Sequence, residues 1–163
     1  MEIKVLKNGF KMDEAYKHLM KKSKGKIKID NMEAIFYPYE LIEFAIEYKG
    51  RLSKNNAKCL CLADLVKGEY AIAKSRGEFN MMEVDDTLVM PPKMDRQELI
   101  DKAPSYIFGE ILREKRMWHN PEINYLQSDL IYKPFYVVQC INEENEVFHV
   151  LFDAVSGGFV MLN

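Results

Sequence analysis

Few residues in this 163-residue chain are of the types that carry out chemistry, and their spacing favours no catalytic site. The chain has three histidines and three cysteines, and the pair that fits a nucleophile and its base is Cys140 with His149, placed across an expected hairpin. A catalytic cysteine also needs an orienting group and an oxyanion donor, and the sequence indicates neither. We therefore predict a non-enzymatic protein that holds no metal and no cofactor.

Two acids open an Asp-x-x-x-Gly pattern, at residues 64–68 and 153–157. The carboxylate of such a pattern can accept hydrogen bonds from the amides of a turn, and the glycine supplies left-handed backbone. Cation binding is the alternative, but each acid stands alone in its turn, and a cation needs several oxygen ligands. We predict structural turns in two hairpins, formed by Asp64, Gly68, Asp153 and Gly157.

Both turns belong to a stretch that the chain contains twice, at residues 35–73 and 131–162. Each copy opens with aromatic residues around a proline, continues into an apolar run, and ends with the Asp-x-x-x-Gly pattern and a short strand. A constant order of features, with length changes only between elements, is typical of repeated units. The residues of the aromatic–proline strands are Tyr37, Pro38, Tyr39, Pro134 and Phe135.

The hydrophobic periodicity predicts a helix ahead of each copy. Residues 12–23 have one apolar stripe, and a second helix begins at Asp95, where Pro104 is expected to break or kink it. Each helix is followed by three or four strands whose short connections suit antiparallel pairing. The predicted fold is α+β, with one helix-plus-sheet repeat at residues 1–90 and a second at 91–163. We expect them to pack as one compact body, with pseudo-twofold pairing into one continuous sheet.

Alignment of the two copies places each cysteine where the other copy has an apolar residue. Cys59 aligns with Phe148, Cys140 aligns with Phe44, and Cys61 also meets an apolar position. A Cys-x-Cys pattern on a strand supplies too few ligands for zinc, and an odd number of cysteines does not suit a disulfide framework. The cysteines are therefore predicted to be small buried hydrophobic residues.

Positive charge is concentrated at the start of the chain. Up to Lys28 there are nine lysines against three acids, although the whole chain has a net charge of −2. Lys21, Lys22, Lys24 and Lys26 form a candidate basic binding patch, which could meet nucleic acid or an anionic membrane surface. No aromatic residues interleave with them and no nucleic-acid motif accompanies them, so we favour a solvated helix face and predict no nucleic-acid partner.

The aromatic–proline strand at residues 37–42 and the strand end at residues 152–157, Phe-Asp-Ala-Val-Ser-Gly, resemble PepSY-type domains of bacteria. The first copy departs from this pattern, with Leu65 in place of the alanine and Lys67 before the glycine. The resemblance implies a tandem arrangement of cystatin-like units, each with one helix across an antiparallel sheet. It also implies an interaction or inhibitory module, often located at the cell envelope.

Two hypotheses for function follow. The first is a protein- or peptide-interaction module, regulatory or inhibitory, whose sheet face, edge strand or basic helix engages a partner that the sequence does not identify. The alternative is a small-molecule-binding or hydrolytic protein with a groove between helix and sheet. A module should expose an apolar or edge surface, whereas an enzyme needs a concave pocket where at least two of five side chains converge: Glu110, His119, Cys140, His149 and Asp153.

No apolar run approaches the roughly 20 residues that a membrane helix needs, and the lysine-rich amino terminus does not fit a secretory signal. From the chain as given we expect no membrane span and a cytoplasmic location. A partner or a longer parent chain would be the route to the cell envelope. The oligomeric state stays open at the level of the sequence.

Overall fold

A computed structural model describes residues 1–49, 54–114 and 121–162. The described residues form two α-helices, α1 (Met12–Lys22) and α2 (Arg96–Glu114), and a short 3-10 helix at Asp86–Leu88. The strands are β1 (Glu2–Leu6), β2 (Lys28–Lys49), β3 (Lys54–Asp64), β4 (Tyr70–Ala73), β5 (Phe79–Glu83), β6 (Glu122–Ile141), β7 (Val147–Asp153) and β8 (Phe159–Leu162).

The eight described strands belong to one mixed sheet. Their order is β4-β3-β2-β6-β1-β5, with β7 paired to β6 and β8 paired to β7. The hairpin pairs β2–β3, β3–β4, β6–β7 and β7–β8 are antiparallel, whereas β1 pairs in parallel with β6 at Val5 and Tyr132. The predicted α+β class is confirmed.

The contacts within the chain define two compact units. Unit 1 contains Met1–Tyr37, Gly77–Met90 and Tyr132–Asn163, and unit 2 contains Pro38–Arg76 and Pro91–Ile131. These units are defined by contacts, whereas the predicted division at residue 90 concerns copies in the sequence. That division therefore stays a prediction.

In unit 1, helix α1 covers one face of β6 and β7. Asp13 and Glu14 lie in its first turn and Lys21 and Lys22 in its last, which suits the helix dipole. Ala15 and Leu19, one turn apart, are its buried residues. They pack in a core with Tyr136, Val138, Cys140, Val150, Phe152 and Ala154.

In unit 2, helix α2 covers the hairpin of β2 and β3. The carboxylate of Asp95 accepts a hydrogen bond from the Glu98 N–H at 2.9 Å, which satisfies one amide at the start of the helix. Buried residues recur every fourth position of the helix, at Leu99, Ala103, Ile107 and Ile111. They pack in a core with Ile42, Phe44, Ile46, Cys61, Ala63 and Leu65.

Each helix thus covers a hairpin that lies far from it in the sequence. Helix α1 covers strands that follow residue 132, and helix α2 covers strands that precede it in the chain. The sequence suggests instead that each helix lies on the strands that follow it, and the structure shows a smaller contact of this kind, with Ile29 of β2 packed on the core of α1 and Leu130 of β6 on that of α2. The difference arises because an apolar stripe requires an apolar sheet face but does not specify which one.

Of the predicted break or kink at Pro104, the break is wrong, because helix α2 runs unbroken from Arg96 to Glu114. Proline removes one backbone hydrogen bond of the helix and crowds the preceding turn. Burial of Ala103 and Ile107 on both sides of Pro104 fixes these turns against the sheet. Packing therefore overrides the local preference for a helix end.

The two hairpins fill their cores with the same pair of side chains in opposite positions. Phe44 lies opposite Cys59 in β2–β3, whereas Cys140 lies opposite Phe148 in β6–β7. Cys61 and Cys140 are fully buried and Cys59 is half-buried, and all three are free thiols. The prediction of cysteines as buried hydrophobic residues is confirmed for the first two.

Candidate functional site

The two Asp-x-x-x-Gly turns have matching hydrogen bonds. The Asp64 carboxylate accepts hydrogen bonds from the amides of Val66 and Lys67 at 2.8 and 2.9 Å. The Gly68 N–H donates to the Asp64 carbonyl at 2.8 Å, and Gly68 has φ +77°. The arrangement closes the turn and leaves this carboxylate oxygen occupied by backbone amides.

In the second turn, the Asp153 carboxylate accepts from the amides of Val155 and Ser156 at 2.9 and 3.1 Å, and Gly157 has φ +80°. The other carboxylate oxygen lies 2.7 Å from the Lys133 ammonium. Burial acts to raise the pKa of Asp153, but Lys133 and the two amides outweigh it and lower this pKa below its ordinary value. Asp153 is therefore an ionised structural group with its acceptors in use.

The aromatic–proline segments support these turns. Pro38 and Pro134 are buried, and their carbonyls accept hydrogen bonds at 3.2 Å from the amides of Leu65 and Ala154, the residues that follow the two acids. In unit 1, the rings of Tyr37 and Phe135 meet edge to face, with centroids 6.0 Å apart. Tyr39 is half-buried. These contacts belong to packing rather than to an exposed site.

The residues that an enzyme would need are not assembled in the described part of unit 1. Cys140 is buried, and burial raises the pKa of its thiol, which disfavours the reactive thiolate. His149 is exposed, and it pairs with Gln139, the neighbour of Cys140. Because adjacent strand residues face opposite sides of a sheet, the two side chains diverge. His119 lies outside the described residues.

Glu110 belongs to unit 2, where it borders a groove of 410 Å³ between α2 and the strands β2, β3 and β4. The floor of the groove is apolar and includes Ile46, Cys59, Ile107 and Ile111, and charged side chains surround it. Burial raises the pKa of the Cys59 thiol. The groove can hold a small apolar molecule, and it contains no described histidine.

A polar cluster that the sequence does not predict lies at one end of this groove. Glu43 accepts a hydrogen bond from Gln127 and forms ion pairs with Lys58 and Arg76, and Arg76 also binds Asp129 at 3.2 Å. The hydrogen bond from Gln127 outweighs burial and, with the two cations, holds the pKa of Glu43 below its ordinary value. The signal in the sequence is a glutamate within the apolar run at residues 41–46.

A second buried acid in unit 2 is also absent from the predictions. Glu40 has no exposed surface and binds Arg96 through two hydrogen bonds, at 2.7 and 3.0 Å. Arg96 is the first residue of α2 and its side chain is 47% exposed. The pair therefore joins β2 to the start of the helix and has a structural role.

The four lysines of the basic patch are exposed. Lys21 and Lys22 are the last residues of α1, and Lys24 and Lys26 follow in a turn in which Lys24 has φ +55°. Because these ammonium groups lie in solvent, an anionic partner can reach them without a rearrangement of the protein.

The most exposed apolar segment of unit 1 is β8. All four of its residues are exposed: Phe159 by 44%, Val160 by 60%, Met161 by 67% and Leu162 by 39%. Within the described residues β8 pairs with β7 alone, so its other edge has no strand partner. An exposed apolar edge strand is a template for an added strand. The sequence analysis treats this segment only as a strand of the second copy.

The backbone of β8 shows which of its amides face the open edge. The Asp153 N–H donates to the Gly158 carbonyl at 2.8 Å, and Phe152 opposes Phe159 in the next position. Because an antiparallel ladder alternates, the amides of Phe159 and Met161 point away from β7, whereas that of Val160 points towards it. The open edge thus offers two outward amide groups to a partner.

Comparison with family models, with curated proteins and with solved structures finds no match to this chain. No helix among the described residues is long and apolar enough to span a membrane. No group of three or more histidine, cysteine, aspartate or glutamate side chains in the described part of the chain is arranged to hold a metal ion.

Proposed function

We propose that the protein is a non-enzymatic interaction module that binds an extended peptide segment of a partner protein by strand addition to β8. The observation that carries this proposal is the open edge of β8, with four exposed apolar side chains and two outward amides. Main-chain hydrogen bonds supply affinity in this binding mode, and the side chains on alternate positions supply selectivity.

The other strand edges fit a partner less well. In β4 the ring of Tyr70 is already stacked on Tyr106 of α2, with centroids 5.4 Å apart. In β5 the strand ends at Glu83, which is bound by the amino terminus of Met1. The charge at the end of β5 and the stacked ring on β4 discourage strand addition. By contrast, β8 has no charged residue along its length, and all four of its side chains are exposed.

The proposal includes the origin of the chain. We propose a tandem duplication with copies at residues 1–90 and 91–163, similar in construction to PepSY-type and cystatin-like domains. The matching hydrogen bonds of the turns at Asp64 and Asp153 support it, as does the pairing of Pro38 with Leu65 and of Pro134 with Ala154. We propose a regulatory or inhibitory role for this duplicated scaffold, because the described residues bring together no nucleophile and base.

The test uses ¹⁵N-labelled protein and an extended probe peptide of alternating threonine and valine. Binding to β8 should slow hydrogen exchange at the amides of Phe159 and Met161, and leave that of Val160 unchanged because it is already bonded to β7. Met161→Pro removes one outward amide without touching the ladder to β7, so it should weaken binding. Unchanged exchange at saturating peptide would overturn the proposal.

The groove of unit 2 supports the second candidate, a small-molecule-binding protein. Its volume lies within the range of ligand pockets, and its apolar floor adjoins the ionised Glu43. Cys59→Phe would place a large side chain on the floor of the groove. A ligand found by screening should therefore bind the wild type and lose affinity for this variant, while the exchange of the β8 amides stays unchanged.

A further inference from the structure

We infer that the partner segment at β8 is acidic and aromatic, with an aromatic ring stacked on Phe159 and carboxylates facing Lys21 and Lys22. This inference rests on the proposed strand addition and names the chemistry of the partner. It follows from a comparison of the two units. In unit 2 the ring of Tyr106 on the helix stacks on Tyr70 of the strand, whereas the matching helix residue of unit 1 is Lys22.

The two units can be compared through their turns and helix starts. Phe159 lies two residues after the glycine of its turn, as Tyr70 does after Gly68. The amides of Gly9 and Phe10 bond to the Ala154 carbonyl at 2.8 and 2.9 Å, and those of Lys93 and Met94 bond to the Leu65 carbonyl at 2.8 and 2.9 Å. Both helices therefore start from the same place relative to their hairpin.

Counting from these amides gives the residue that faces each aromatic ring. In unit 2, Tyr106 lies twelve positions after Met94 and stacks on Tyr70, whose hydroxyl also donates to the Leu99 carbonyl at 2.7 Å. Twelve positions after Phe10 in unit 1 is Lys22, the last residue of α1. Unit 1 therefore has a lysine at the position from which an aromatic ring covers the strand in unit 2.

The side chain at this helix position explains why Phe159 is exposed. Lys22 is the last residue of α1 and matches Tyr106 of α2, so both helices reach this position and differ there in the side chain that they carry. Phe159 is 44% exposed, whereas Tyr70 is half-buried under Tyr106. A partner that brings its own aromatic ring to Phe159 would restore the stacking that unit 2 makes internally.

The charge beside this surface specifies the rest of the partner. The His18 ring lies 5.8 Å from the ring of Phe152, and Phe152 is the cross-strand neighbour of Phe159. Lys21 and Lys22 lie one turn beyond His18 on the same side of the helix. A segment added to β8 would therefore carry its carboxylates towards two exposed lysines, and a basic segment would be repelled.

The experiment compares three N-acetylated peptides in which threonine occupies every second position. The first carries tyrosine and glutamate at the other positions, the second replaces its glutamates with lysine, and the third replaces its tyrosines with threonine. Affinity is measured by titration calorimetry at low and high salt. We expect the first peptide to bind about tenfold more tightly than either of the others, with an affinity that falls as salt rises.

Protein variants locate the contact. Phe159→Ser should weaken the acidic–aromatic peptide about tenfold and leave the third peptide, which lacks tyrosine, little affected. The double variant Lys21→Glu/Lys22→Glu should reverse the preference between the two charged peptides. The matched control is Lys74→Glu, which changes an exposed lysine of unit 2 next to β4 and should alter neither affinity.

The outcomes separate this inference from the proposed function. If the peptide of threonine and valine protects the β8 amides and the acidic–aromatic peptide binds no more tightly, strand addition stands and the inference is overturned. If no peptide protects these amides, both are overturned. If light scattering shows dimers that Met161→Pro dissolves, the occupant of β8 is a second copy of the chain, and the acidic–aromatic partner is again excluded.

Discussion

The three glycines Gly25, Gly68 and Gly157 allow the cost of a side chain in left-handed backbone to be separated from the cost of a steric clash. Their φ values are alike, at +72°, +77° and +80°. An added Cβ at Gly25 would meet no atom within 4 Å, one at Gly68 would lie 2.9 Å from the terminal methyl of Met94, and one at Gly157 would lie 2.6 and 2.7 Å from ring atoms of Phe10. Gly25→Ala therefore has the backbone cost alone. Gly68→Ala adds a clash with a flexible side chain, and Gly157→Ala adds a clash with a packed ring.

The expected costs follow from these distances. Alanine in left-handed backbone costs about 1 kcal/mol, which is the whole penalty at Gly25. At Gly68 the methyl of Met94 can swing aside, so we expect about 1–2 kcal/mol in total. At Gly157 the Phe10 ring is held edge to face by His18 at 5.3 Å and Phe152 at 5.5 Å, so it cannot withdraw without loss of packing. We expect about 2–4 kcal/mol there.

The assay is urea unfolding of the three variants, with the free energy of unfolding compared with that of the wild type. Phe10→Leu provides the control, because it should recover part of the loss in Gly157→Ala and none in Gly68→Ala. Equal destabilisation at Gly68 and Gly157 would show that the Phe10 ring is not fixed, and the reasoning from its contacts would then be wrong.

Three further predictions concern single interactions. Asp153→Asn should destabilise the protein by about 1–2 kcal/mol at neutral pH. Because the folded pKa of Asp153 is lowered, its stabilisation is present above the ordinary pKa of an aspartate and is lost as pH falls through the folded pKa. Wild type and variant should therefore converge in acid unfolding curves below the folded pKa. Phe44→Cys should lower the free energy of unfolding by about 3 kcal/mol, measured in urea. The double variant Phe44→Cys/Cys59→Phe, which exchanges the two side chains, should recover at least about 1 kcal/mol of this loss. No recovery would contradict the packing of this cross-strand pair. Arg96→Met should lower the free energy of unfolding by about 3 kcal/mol, because it leaves the buried Glu40 carboxylate without its cation. Glu40→Gln should cost clearly less, because the Arg96 side chain can turn to solvent. A larger loss in Glu40→Gln than in Arg96→Met would refute this assignment.

The parts of the fold that the sequence predicts are those that depend on near neighbours. The Asp153 carboxylate bonds to amides two and three residues away, so the pattern itself specifies the turn. Both helices follow from their apolar stripes for the same reason. Pro104 is the exception, because the local penalty is outweighed by burial of the residues on both sides.

The remaining features depend on contacts between distant residues. Glu40 and Arg96 are 56 positions apart, and nothing local in either segment indicates that they pair. The exposure of Phe159 is also hidden, because an apolar strand predicts burial and the residue matching Tyr106 is a lysine, Lys22, which does not stack on it. The candidate edge at β8 therefore appears only when the side chains beside the matching strands of the two units are compared in the structure.

Each helix covers a hairpin that is distant from it in the sequence, and this has a consequence for synthesis on the ribosome. Helix α1 ends at Lys22, and the strands that it covers emerge about 110 residues later, at translation rates of roughly 5–20 residues per second. Unit 2 has all its segments once residue 131 has left the exit tunnel, whereas unit 1 must await the last strand. For several seconds the apolar stripe of α1 is therefore without β6 and β7, and a nascent chain halted after residue 131 has left the tunnel but before β7 has done so should carry one finished core and one helix that a chaperone can bind.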